Sequence, residues 1–238
     1  MNDLLLRTAT SVIPVTGGLA VLTASVPRSY EHNQLLISGP TSVTELIADA
    51  ERVLGGAGLG HRAATLVGDH LAVLAHDLAE MGWQVESLVT MTASPRAGGI
   101  GVVEEVGIET ARVHWDGTWR RELPGIGGDV VAQLTDRFLL EAAVVDVRCL
   151  VVRSDGSVVA ACLLKIDGTA ATLDAVDTHP DHRNRGHGDA LVTAALAVAA
   201  AAGCGVVELD ADADDWPRRW YERRGFVEVG RRWSATRP

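Results

Sequence analysis

Apolar and polar positions alternate along the chain with a period that changes from one short segment to the next. Ser42 to Leu54 has helical spacing, with Ser42 placed to cap and Glu45 three residues later, the capping-box arrangement. Ala63 to Val67 predicts a short strand. Asp69 to Met81 sets Leu71, Leu74 and Leu78 on one helical face, and Gly82 supplies a stop. Val85 to Met91 predicts another strand, so the first part of the chain has an α/β pattern. Ala93 to Gly99 then breaks the pattern with small and turn-forming residues. Beyond it, Val102 to Ile108 predicts a strand, and Val130 to Ala143 a helix with Val131, Leu134, Phe138 and Leu139 as its apolar stripe. Strands 146–153, 157–165 and 169–178 follow as a meander whose turns contain Asp155-Gly156 and Asp167-Gly168, strong short-range hairpin signals. Pro180 closes the third strand. A helix over 188–202, a strand over 205–210, a short helix over 216–224 and a last strand over 226–233 complete a mixed α/β sheet. The expected division is a smaller α/β domain over 1–100 and a larger one over 101–238.

Composition narrows the function classes. Apolar residues make up 47% and charged residues 22% of the 238, a globular rather than a disordered balance. The formal net charge of −10 repels phosphate backbones, so nucleic acid is not expected as a partner. The three cysteines, Cys149, Cys162 and Cys204, are far apart in apolar surroundings, which predicts buried thiols rather than a disulfide framework or a zinc knuckle. The apolar stretch Ser11 to Ser25 has the outline of a signal peptide, but Asp3, Pro14 and Gly17-Gly18 interrupt it. No run reaches the roughly 18 to 20 apolar residues of a membrane helix. The expectation is a cytoplasmic protein without a membrane partner.

The densest chemical signal is the run from Thr178 to Leu191, where a strand stops at Pro180, a polar turn follows, and Gly186 and Gly188 open a helix. Unbonded N–H groups at a helix start form an anion site, and glycines let a ligand approach the backbone. A plain strand-to-helix turn would also account for two glycines. A dinucleotide fold requires a third glycine and a parallel βαβ unit, and a P-loop requires Gly-Lys-Ser/Thr, which is absent. His179, His182 and His187 crowd the same turn, but helical HxxxH spacing is missing and no metal is expected.

Arg183-x-x-Gly186-x-Gly188, after Val176-Asp177-Thr178-His179-Pro180, resembles the coenzyme A motif of the GNAT N-acetyltransferases, and Trp220 to Phe226 resembles that family's second signature. The resemblance covers Val102 to Trp233. It implies the GNAT acyl-CoA-binding fold, with acetyl-CoA as cosubstrate and a small-molecule or peptide amine as acceptor. By the same resemblance, backbone groups of Val176, Asp177 and Thr178 pair with the pantetheine arm. Arg183, Asn184, Arg185, Gly186, His187, Gly188 and Asp189 form the pyrophosphate turn, and Tyr221 is the general acid. Asp214 or Asp215 stands where the family often has asparagine, and Arg224 where it usually has leucine. The position of the glutamate base in several relatives falls close to Thr172, so Asp174 and Glu208 become the candidate bases, with water as a further route. Arg218, Arg219, Arg223 and Arg224 form a basic cluster read either as a solvated helix face or as a contact for the coenzyme 3′-phosphate. Residues 1–100 are expected to be a degenerate second copy without a cofactor site. A catalytically silent acyl-CoA-binding module is the alternative function, and the resemblance leaves a homodimer open.

Overall fold

The computed structural model describes residues 2–238. The chain runs through helix α1 (Asn2–Thr8), strands β1 (Ser11–Val15), β2 (Gly18–Leu22) and β3 (Gln34–Ile37), helix α2 (Val43–Ala50), strand β4 (Arg62–Val67), helix α3 (Ala72–Glu80) and strand β5 (Gln84–Ala93). It continues through β6 (Val103–Val106), α4 (Ile108–Glu122), α5 (Gly128–Ala142), β7 (Asp146–Ser154), β8 (Ser157–Asp167) and β9 (Ala170–Thr178). The last elements are α6 (His187–Ala201), β10 (Val206–Asp212), α7 (Trp216–Glu222) and β11 (Val227–Arg237). These form two compact units. Unit 1 gathers residues 1–91, 210–224 and 228–238, and unit 2 gathers 92–209 and 225–227.

In unit 1 the strand order is β1-β2-β3-β4-β11-β5. The C-terminal strand β11 pairs antiparallel with β4, from Arg232↔Val67 to Arg237↔Arg62, so the end of the chain completes a sheet begun near its start. One face of this sheet is covered by α2, the turn that follows it and α3, whose Leu46, Leu54, Leu74 and Leu78 pack with Leu35, Ile37, Leu66 and Trp233. Ser42 and Glu45 make the predicted capping box at the start of α2. That helix ends in a π turn, Glu51–Gly55, whose Glu51 carboxylate receives Arg62 and Arg237.

Unit 2 has the strand order β10-β9-β8-β7-β6. Strands β7, β8 and β9 form the predicted meander, with Asp155 and Gly156 both at positive φ in the first turn. On one face Ala111 and Trp115 of α4 and Phe138 of α5 pack on Cys149, Val151, Ala161 and Leu163. Helix α6 also packs on β7, β8 and β9. All three cysteines are buried free thiols, and burial pushes Cys149 up to about 11.

One expectation changes in detail. The predicted strand over 102–108 ends at Val106, and α4, which the periodicity does not announce, begins at Ile108. Its inward residues are Ala111, His114, Trp115 and Thr118, which have helical spacing but only one large apolar member. The N-terminal strands β1 and β2 fall inside the stretch whose outline resembled a signal peptide. Among the described residues no helix is long and apolar enough to cross a membrane.

Candidate acyl-CoA site

The site residues of unit 2 are organised by β9. Along one edge it pairs antiparallel with β8, and along the other it pairs parallel with β10 from Val206↔Ala170 to Glu208↔Thr172. Among the described residues that parallel register stops at Glu208, while β9 stays paired with β8 on its other edge as far as Thr178. A β-strand edge offers its backbone donors and acceptors to an extended ligand. The expected pantetheine contacts, Val176, Asp177 and Thr178, lie on this stretch.

The strand is bulged there. Ala161 faces Asp177 while Leu163 faces Asp174, so Cys162 on β8 stands opposite two residues, Ala175 and Val176. Ala175 takes the left-handed region, φ 49°, uncommon for a residue with a Cβ. Its N–H donates to Asp174 Oδ1 at 2.7 Å, and its carbonyl accepts from Trp115 Nε1 at 3.3 Å. Two residues later the Asp177 carboxylate accepts from His114 Nε2 at 2.8 Å and from Thr118 Oγ1 at 2.9 Å. Arg121 stands 3.8 Å away. Burial opposes ionisation of Asp177, but the hydrogen bonds of His114 and Thr118 and the nearby positive charge outweigh it and lower its pKa.

Past Thr178 the chain turns through Pro180–His182, with His179 Nδ1 accepting from the Asp181 N–H at 3.3 Å. Arg183 Nε donates back to the Thr178 carbonyl at 3.1 Å, and Arg185 Nη2 to the Asp181 carbonyl at 3.0 Å. These bonds fold the arginines onto the turn's own backbone. Asn184 and Gly186 both have positive φ, 60° and 80°. Gly186 is the N-cap of α6 and has no side chain to cap it, and a Cβ placed there would meet nothing within 4 Å. The N–H groups of the first helical turn have no intrahelical partner, and their dipole favours an anion. An uncapped helix start with open space before it fits a pyrophosphate.

The candidate bases differ. Asp174 is tied into a cluster in which Lys165 Nζ lies 2.6 Å from Asp174 Oδ2 and 2.8 Å from each Glu141 oxygen. Burial raises the pKa of Asp174, but the charges of Lys165 and Arg137 and the bonds from Lys165 and Ala175 overcome it and hold the carboxyl well below the usual range. It is a weak proton acceptor. Glu208 lies half-buried on β10 beside Thr172. Tyr221 belongs to unit 1, buried on α7 with its ring edge-on to Trp220 at 4.7 Å. Asp215 caps that helix by accepting the Trp216 N–H at 2.7 Å. Arg224 is half-buried rather than exposed, its guanidinium 4.0 Å from the centre of the Trp220 ring. Arg218 is taken up by Glu222 and Glu228, whereas Arg219 and Arg223 stay exposed beside Trp216.

Sequence reasoning did not single out His114, Trp115, Thr118, Lys165 or Glu141. Of these, only the helical spacing of His114, Trp115 and Thr118 was there to be found.

Comparison with known proteins agrees with this geometry. The profile of the Acetyltransferase (GNAT) family matches residues 118–226. Among curated proteins none matches in sequence. The fold is similar to that of a functionally unknown conserved protein from Staphylococcus epidermidis ATCC 12228, with a TM-score of 0.76 at 15% identity over 97% of this chain and 94% of that one. It is also similar to a GCN5-related N-acetyltransferase from Kribbella flavida, with a TM-score of 0.65 at 17% identity over 100% and 92% of the two chains. A tandem GNAT protein from the clavulanic acid biosynthesis pathway shares the fold with a TM-score of 0.53 at 16% identity, over 81% of this chain and 68% of that one. The bulged strand and the glycine turn fall within residues 118–226, the segment that matches the GNAT acetyltransferase family.

Proposed function

We propose that the protein transfers the acetyl group of acetyl-CoA to a primary amine by direct attack, without a covalent enzyme intermediate. The observation that carries this reading is the bulged edge of β9 leading through the turn after Thr178 into an uncapped helix start. An acyl-CoA needs both, an extended edge for its amide-bearing arm and an anion site for its pyrophosphate. In this reading the backbone of Val176, Asp177 and Thr178 receives the arm, and the turn from Arg183 to Asp189 receives the phosphates.

The amine nitrogen attacks the thioester carbonyl, the carbon–sulfur bond breaks, and the thiolate takes a proton from the Tyr221 hydroxyl. Glu208, directly or through water, removes the proton from the amine. Asp174 is the weaker candidate, because Lys165 and Arg137 already stabilise its anion. The acceptor is a small molecule or a peptide amine, and the negative net charge favours a cationic one. The N-terminal region is a cofactor-free copy of the same fold, a reading supported by the likeness to a tandem GNAT protein.

The test is calorimetry with acetyl-CoA, followed by thiol release with polyamines, aminoglycosides and N-terminal peptides. One site per chain and turnover with at least one amine are expected. No binding of acetyl-CoA would sink the reading, and tight binding without turnover across the panel would leave the silent module in its place.

A further inference from the structure

We infer that α4 braces the bulged strand: Trp115, and His114 and Thr118 through Asp177, are positioning residues that hold 174–177 in the conformation that receives the acyl-CoA arm. The inference rests on the acyl-CoA reading above and adds to it the parts that fix the edge. Ala175 is a strained residue whose N–H and carbonyl both bond to side chains, Asp174 Oδ1 and Trp115 Nε1. Without those partners the left-handed conformation has nothing to favour it over the β region, where a residue with a Cβ is at ease. Loss of the bulge shifts the register by one, and every side chain beyond it changes face. Asp177 stands on the far side of the bulge, with Ala161 opposite. His114 and Thr118, one turn apart on α4, fix it by its carboxylate. Because that partner is a carboxylate, His114 Nε2 is the protonated nitrogen. Trp115 itself is locked by burial, 3% exposed and tilted against Phe138 at 5.0 Å between ring centres. One helix thus holds the strand on both sides of its irregular residue.

Four variants of the full chain test the brace by calorimetric titration with acetyl-CoA, with a melting curve on each preparation. Trp115→Phe keeps a packed ring and deletes the N–H, and Asp177→Asn keeps the shape and removes the charge. Trp115→Phe loses one well-placed hydrogen bond, Asp177→Asn exchanges two charge-assisted bonds for weaker neutral ones, and each should weaken acetyl-CoA binding about tenfold. At saturating acetyl-CoA, the Michaelis constant for the amine should stay within about twofold. Adding Ala175→Gly to Trp115→Phe should recover part of the affinity, since glycine adopts positive φ without strain. Val131→Ala, on α5, supplies a buried truncation outside the brace and should lower the melting temperature with affinity unchanged. Should Asp177→Asn fail to fold, Trp115→Phe with and without Ala175→Gly decides alone. Wild-type affinity in Trp115→Phe, or an equal loss in Val131→Ala, overturns the brace while acyl-CoA binding stands. Wild-type protein that does not bind acetyl-CoA overturns the underlying reading as well.

Discussion

Replacing Lys165 with methionine probes the strongest electrostatic commitment in unit 2. The lysine side chain is 7% exposed and Glu141 only 1%, so the two charges meet where water is excluded. Asp174 keeps 34% of its side chain open and can rehydrate when the lysine is lost. Glu141 cannot, and the loss of its lysine sets the scale: breaking a buried pair by removing one partner costs about 3–5 kcal/mol. For a unit of this size that corresponds to a fall in Tm of roughly 10–20 °C. Urea titration followed by tryptophan fluorescence measures it. The pH dependence carries a sign. In the wild type the folded pKa of Asp174 is depressed, so its stabilisation holds above the unfolded value of about 4 and is lost as pH falls further. Adding Glu141→Leu to Lys165→Met should recover most of the loss, because both buried charges are then gone. A single variant within about 1 kcal/mol of wild type, which is below the cost of stranding a charge, would refute the argument.

Three further outcomes are expected. Tyr221→Phe should lower turnover about 10²-fold with little change in the Michaelis constant for acetyl-CoA, and full activity would leave thiolate protonation to water. Gly186→Val should abolish measurable acetyl-CoA binding and also cost about 1–2 kcal/mol of stability, because valine is strained at the φ of 80° found there; calorimetry and melting on one preparation separate the two effects. Glu208→Gln should lower kcat/KM about 10²-fold, and a value identical to wild type would assign proton removal to water alone.

The sequence announced whichever elements rest on local rules. Asp155-Gly156 marks a hairpin because only a few residues tolerate positive φ, and Ser42 with Glu45 marks a helix start because both side chains satisfy backbone groups nearby. The glycine turn was legible for the same reason. Helix α4 was not, since its inward face is made of alanine, histidine, tryptophan and threonine, and the polar members find their partners on β9, about 60 residues away. The bulge at Ala175 was equally hidden, because an alanine gives no sign of the left-handed region. Asp174 becomes a candidate base by its nearness to Thr172, and the lysine and glutamate that tame it lie on other elements. Contacts that are distant in sequence leave no local period.

The pairing of β11 with β4 has a consequence for how the chain is born. A ribosome releases residues 62–67 long before it reaches 232–237, and every residue of unit 2 up to Leu209 emerges in the interval. Until then β4 can pair with β3 but must wait with its other edge bare. An open strand edge is a template for pairing with a neighbouring chain. Nascent unit 1 is therefore the aggregation-prone stage of synthesis, and a stop codon that removes only the last dozen residues should leave its first ninety without a closed sheet.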